Sequence, residues 1–245
     1  MNKPPQRSVL FIALLIIFLL AVLINVSSPV ANNKIWDIQI VVYTKSADVT
    51  KDDVEAVKKE LKNAIKFIPQ ILGVKNRKTV TINIVDEGIC HTQEDIIFLP
   101  MHHIRGKSAA IVHELTHIIA RHENKSFFSE GLAVYFQKKY GNFKSFPNYS
   151  KPFDDFLRNH KEQLINLSTL KNDNEIFEQV GTEERRLAYI EAGSFINYLV
   201  AKFGVKKLAD LNKSSLLNYK YIYGKSFEEL ETDWKNFVFG ETFNK

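Results

Sequence analysis

The chain has 245 residues, 45% of them hydrophobic and 25% charged, which are ordinary globular values that allow one sizeable core. Its formal net charge is +5, and two of those positive charges, Lys3 and Arg7, precede the first apolar run; the remaining excess is too small to argue for a nucleic-acid partner. Cys90 is the single cysteine, which excludes an intramolecular disulfide.

Val9 to Ile24 is uninterrupted apolar sequence, and it extends to about twenty residues if Ser8 and Asn25 to Ser27 are allowed at its ends. At about 1.5 Å per residue such a helix crosses one hydrocarbon core. Lys3 and Arg7 on its N-terminal side put the N-terminus in the cytoplasm and the rest outside. The expected organisation is a cytoplasmic N-terminus (1–7), a transmembrane signal anchor (8–28), a short linker (29–35) and one domain (36–245). A cleaved signal peptide is the competing reading, and it would make the protein secreted rather than a single-pass membrane protein. With one cysteine outside the membrane, a bacterial envelope fits better than a eukaryotic secretory route.

After the linker, Trp36 to Thr44 is rich in Ile and Val and reads as a strand. Thr50 caps a helix from Lys51 to about Ile68, with Val54, Val57, Leu61, Ile65 and Ile68 on one face; Pro69 and Gly73 are expected to end it. Lys78 to Val85 alternates as a second strand, and Asp95 to Leu99 reads as a third. From Gly106 onward the pattern is mainly helical, broken by a loop from Gly141 to Pro152. The fold class is α+β: a small N-terminal sheet with a helix, then an active-site helix and a mainly helical C-terminal half. No internal repeat is apparent.

Chemistry concentrates in His113-Glu114-Leu115-Thr116-His117. Residues four apart on a helix nearly eclipse, so His113 and His117 project from one face and can hold one metal ion. Glu114 can lean over the metal's open position without being a ligand, where a general base belongs. Glu130, in Ser129-Glu130-Gly131-Leu132-Ala133, is the best candidate for a third ligand. Two His and one Glu leave one tetrahedral position for water, the arrangement of a catalytic zinc. Apolar residues surround the motif, so the helix is buried, and buried His and Glu without partners are costly. Two hydrogen-bonded core histidines are the bland alternative, and that alternative leaves Glu114 unexplained.

The pair His-Glu-Leu-Thr-His and Ser-Glu-Gly-Leu-Ala-x-Tyr resembles the gluzincin zinc metallopeptidases of the thermolysin-like clan, most closely their compact bacterial membrane-tethered or secreted members. The resemblance runs from about Asp95 to Trp234 and takes in the helix Ala188 to Leu199 and the closing segment Ser226 to Trp234. It implies a zincin-like fold, one zinc ion held by His113, His117 and Glu130, and Glu114 as general base. It puts Tyr189 where some relatives have an oxyanion-stabilising tyrosine. It also implies that the strand before the metal helix is a sheet edge, able to bind an extended peptide by strand addition. Only 12 residues separate His117 from Glu130, a spacing that suits the compact group and lends none of the larger enzymes' substrate preferences.

The function expected is hydrolysis of peptide bonds through metal-activated water, on a peptide or protein substrate outside the cytoplasm. Two alternatives remain: a zinc hydrolase of a non-protein envelope amide, and a catalytically silent membrane-tethered binding module. Among the other histidines, His102 and His103, between the edge strand and the metal helix, could support the metal ligands or contact substrate, but two adjacent histidines at the start of a connection are expected to be solvated. His122 points about 140° from His117 on a helix and is a poor ligand to the same metal. Cys90 is expected to be a small, partly buried side chain. Phe127 and Phe128 are expected to pack the Glu130 helix against the metal helix. Nothing in the sequence gives the oligomeric state.

Overall fold

A computed structural model describes residues 38–44, 48–74, 78–121, 126–172, 174–214 and 216–240. The expected anchor at 8–28, Trp36 at the start of the first strand, and His122 lie outside the described residues. Among the described residues no helix is long and apolar enough to cross a membrane.

The architecture is mixed α+β, a small sheet with a mostly helical remainder. Strand β1 (Ile38–Thr44) leads into helix α1 (Lys51–Leu72), which crosses over to β2 (Lys78–Val85), parallel to β1. Strands β3 (His91–Gln93) and β4 (Ile96–Pro100) follow. The sheet order is β1-β2-β4-β3, with β4 parallel to β2 and β3 antiparallel to β4. This corrects one expectation: the strand before the metal helix is internal, and the sheet edge is β3. Glu94, in the left-handed region at φ 55°, makes the tight turn that folds β3 back onto β4. A three-residue strand is too short for an alternating pattern to reveal it in sequence.

Helix α1 starts at a reciprocal cap, in which Thr50 Oγ1 accepts from Asp53 N and Asp53 Oδ2 accepts from Thr50 N. Val57, Leu61, Ala64, Ile68 and Leu72 form its buried stripe. The helix does not stop at Pro69. Proline costs one backbone bond there, and its ring joins the buried face, so the helix continues to Leu72. Gly73, at φ 60°, ends it: Gly73 N donates to Gln70 O and Val74 N to Pro69 O, the paired bonds of a Schellman close. Val80, Ile82, Ile84, Ile97 and Leu99 of the sheet share one core with this stripe.

A short helix α2 (Met101–Arg105) follows β4 directly and carries His102, which is exposed as expected, and His103, which is half-buried rather than solvated. The metal-motif helix is α3 (Ile111–Ala120), buried at every position except His117. Helix α4 (Phe127–Tyr140) carries Glu130 in its first turn and starts at a cap formed by Ser126 and Ser129. Four shorter elements lead on: α5 (Phe153–Asn159), a 3-10 turn at Lys161–Gln163, α6 (Leu167–Asn172) and a 3-10 turn at Glu175–Glu178. Helix α7 (Glu183–Lys213) is broken in conformation at Gly204, where φ is 83°. Helices α8 (Tyr219–Tyr223) and α9 (Phe227–Phe239) close the fold.

The packing of α4 on α7 sets the position of Glu130. A Cβ on Gly131 would lie 2.6 Å from Ala192 O, and one on Gly193 would lie 2.4 Å from Val134 Cγ1. The two helices meet backbone to backbone where only glycine fits. Phe127 packs against Phe195 of α7 and Phe227 of α9, with ring centroids at 5.5 and 5.8 Å. It therefore braces α4 against α7 and α9, and Phe127 and Phe128 share one core with Val112, Leu115 and Ile119 of α3.

Candidate metal centre

His113 and His117 stand one turn apart on α3 with their Nε2 atoms 3.1 Å apart. Glu130 Oε2 reaches in from α4, 3.1 Å from His113 Nε2 and 3.5 Å from His117 Nε2. Bonds of 2.0 to 2.1 Å to a tetrahedral zinc give ligand-to-ligand edges of about 3.3 to 3.4 Å. The triangle of donor atoms therefore has the size of one face of that tetrahedron. Among the described residues this is the one His, Cys, Asp or Glu group arranged to hold a metal ion.

The contact between the two rings leaves the Glu130 carboxylate without a well-aligned donor. Glu130 is 1% exposed, and its Oε2 has no hydrogen bond of acceptable geometry even though two ring nitrogens lie against it. A buried acceptor without a donor is costly. Burial alone would raise the Glu130 carboxyl, but His117 and His113 outweigh it and hold it well below the ordinary carboxylate range. With the rings deprotonated, as metal binding requires, two ring nitrogens and one carboxylate oxygen converge on one point and fit a divalent cation.

The rest of the protein supports the two helices that carry these donor atoms. The first turn of a helix leaves its N–H groups without partners. His113 N donates to Gln137 Oε1 of α4 at 3.0 Å, and Gln137 Nε2 donates to Glu60 Oε1 of α1 at 3.3 Å. Glu60 is buried and also accepts from Asn142 N at 2.8 Å and Phe143 N at 3.0 Å. One carboxylate thus ties α1, α4 and the start of the 141–152 loop to the backbone of His113.

Glu114 lines a cleft of about 1230 Å³ that opens onto the three donor atoms. Its Oε2 accepts from Thr92 Oγ1 of β3 at 2.7 Å. The cleft runs between β3 with the segment before it on one side and the N-terminal end of α7 on the other. Ile89, Tyr149 and Val180 are large apolar side chains that stand 50%, 45% and 62% exposed on its walls.

Tyr189 is in the wall of this cleft. Its ring lies 6.0 Å from the His113 ring at 26°, in stacked geometry. Phe146 and Phe177 flank it, and its hydroxyl accepts from Arg185 Nη2 at 3.3 Å. Burial, then the negative charge of Glu130, pushes the phenol well above its usual range, so the hydroxyl keeps its proton. Tyr198 is remote: its hydroxyl donates to Asp233 Oδ2 at 3.2 Å.

The remaining candidates sort themselves by position. His103 lines the cleft, half-buried, with Nδ1 2.9 Å from Ser108 Oγ; burial and then His102 hold it below the ordinary imidazole range. His102 is exposed. His91 is on the edge strand, exposed and stacked on Phe98 at 4.6 Å. His160 stacks on Phe156, away from the cleft. Cys90 lines the cleft, half-buried, and burial pushes its thiol up to about 12, so it carries no thiolate at neutral pH. Thr92, Gln137, Glu60 and Arg185 carry no motif that singles them out in sequence. No known protein family, characterised protein or solved structure matches the chain.

Proposed function

We propose that the protein is a zinc-dependent metallopeptidase of the gluzincin type with a zincin-like fold, acting on peptide bonds outside the cytoplasm. One observation carries this: His113, His117 and Glu130 present three donor atoms at the spacing of a tetrahedral zinc face, with Glu114 beside them in an open cleft. When bound, the zinc ion supplies Lewis acidity to a water molecule and to the scissile carbonyl. Glu114 takes a proton from that water and returns it to the leaving amine. Tyr189 accepts from Arg185, which leaves its own proton to be given to the carbonyl oxygen as negative charge develops there. The free edge of β3 is the place for an extended peptide to add as a strand. The segment 8–28 tethers the domain to the membrane, or is removed to release it.

The test uses full-length protein and an unfolded protein substrate. The wild type should hold about one zinc and cleave; chelation should stop cleavage, and added zinc should restore it. Glu114→Gln should keep its zinc and lose roughly a hundredfold or more in rate. Full activity after exhaustive chelation would sink the proposal. A zinc-loaded protein that spares unfolded protein but cleaves an envelope amide would favour the alternative hydrolase, and a zinc-loaded protein without hydrolytic activity would favour the binding module.

A further inference from the structure

Thr92 is the middle residue of the edge strand β3, and its side chain points opposite to those of its neighbours. His91 and Gln93 are exposed, while Thr92 is half-buried and turned to α3. Its hydroxyl oxygen lies 2.7 Å from Glu114 Oε2 and 3.2 Å from the Glu114 backbone oxygen. A hydroxyl has one proton to give. The shorter contact is to the ionisable oxygen, which is the stronger acceptor, so the proton is given to Oε2. Among the described residues no donor reaches Glu114 Oε1.

We propose that Thr92 is a positioning residue for Glu114: it ties down Oε2 so that Oε1 is the oxygen that exchanges a proton with water. The proposal rests on Glu114 acting as general base. A glutamate side chain has several rotatable bonds, and a base misplaced by about 1 Å loses much of its effectiveness. Glu114 sits between two residues that bear no bond to its carboxylate, so the strand supplies the restraint its own helix does not. The bond crosses 22 residues of sequence and joins the strand bordering the cleft to the helix bearing the donor histidines.

Thr92→Val keeps the shape of the side chain and removes the hydroxyl; Thr92→Ser keeps the hydroxyl. In full-length protein loaded with zinc, Thr92→Val should lower kcat about tenfold with KM and zinc content unchanged, and Thr92→Ser should recover most of the loss. A second measurement does not depend on turnover. Crystal structures of the zinc-free protein should show one Glu114 carboxylate position in the wild type and in Thr92→Ser, and more than one in Thr92→Val. Wild-type kcat in Thr92→Val, an unmoved Glu114 in its structure, or a loss that serine does not recover would each overturn the proposal. If wild type cleaves, Glu114→Gln does not, and Thr92→Val is unimpaired, the positioning role fails and the peptidase reading stands. If no form cleaves any peptide yet Glu114 is displaced in Thr92→Val, the peptidase reading fails and the restraint stands.

Discussion

Glu130 on α4 and Glu191 on α7 occupy neighbouring parts of the same helix pair, yet they are opposite kinds of buried carboxyl. Their exposures are 1% and 0%, and in each the Oε2 atom has no hydrogen bond. Burial pushes both upward. At Glu130 the two imidazoles reverse that push, and the group is ionised. At Glu191 one backbone donor, Ile165 N at 2.9 Å, and the charge of Lys235 do not reverse it, and Glu231 adds to it. The default of a buried carboxyl is therefore neutral, and its neighbours decide whether it departs from that default. Around Glu130 the protein has kept a buried, ionised carboxylate against two imidazoles that line a cleft, a set of groups that suits a metal ion. Around Glu191 it has kept a neutral group that fastens the 165–168 segment to the back of α7, with Glu231 accepting from Leu167 N beside it.

Replacing each glutamate by its amide should break this comparison most sharply. If Glu130 is a zinc ligand as proposed, Glu130→Gln should lower zinc occupancy and, with it, the proposed peptidase activity by a hundredfold or more, because one of three protein ligands loses its charge. Glu191→Gln should leave both intact, since an amide resembles the protonated carboxyl it replaces. Metal analysis after dialysis reads the difference. Equal zinc loss in the two variants would mean that the lone pair of Glu130 has no special role.

The two tyrosines of α7 extend the contrast. Tyr189 lies against His113 in the cleft, and Tyr198 is committed to Asp233 on α9. Tyr189→Phe should lower the peptidase rate by tenfold to a thousandfold with zinc retained, the range for losing one preorganised donor. Tyr198→Phe should leave the rate alone and cost about 1 kcal/mol of stability. A selective rate loss in Tyr198→Phe with none in Tyr189→Phe would remove Tyr189 from the mechanism.

What the sequence disclosed depends on how local the cause is. His113 and His117 come together because helical geometry alone brings them together, so the spacing sufficed. The strand at 78–85 and the buried stripe of α1 were legible for the same reason, as simple periods of two and 3.6. Thr92 was not, because a three-residue strand has no period. Gln137 and Glu60 were not, because their partners lie 24 and 77 residues away and only the packed fold brings them near. Pro69 misled because the rule that proline ends a helix yields when its ring is buried near the last turn. The edge position of β3 depended on a turn at Glu94, where no glycine or asparagine marks the left-handed residue.

A steric change should have a smaller effect, on stability first. A Cβ on Gly131 meets Ala192 O at 2.6 Å and Ala192 C at 2.8 Å, both backbone atoms that cannot swing aside. Gly131→Ala should therefore separate α4 from α7 and cost about 2 kcal/mol, within the range for overpacking. Thermal unfolding measures it. Glu130 is the preceding residue, so zinc affinity should fall as well. A variant as stable as wild type would show that the two helices can slide apart without penalty.

The smallest effect is a drift with pH, and it tests the neutral state of Glu191 directly. In the unfolded chain this carboxyl titrates near the ordinary value of about 4.3. In the folded protein its value is raised, by burial first and by Glu231 next. The folded state then binds a proton that the unfolded state has already released. Linkage makes the stability due to this group complete below the unfolded value and decreasing as pH rises toward the folded one. Other groups drift over the same range, but Glu191→Gln retains them all and removes only this one. Lys235 and Glu231 on α9, the charged groups facing Glu191, are common to both proteins. The difference in midpoint temperature, variant minus wild type, should therefore grow in the variant's favour between pH 5 and pH 8. A difference that stays constant across that range would mean Glu191 is ionised in the fold, and its contrast with Glu130 would then rest on geometry alone.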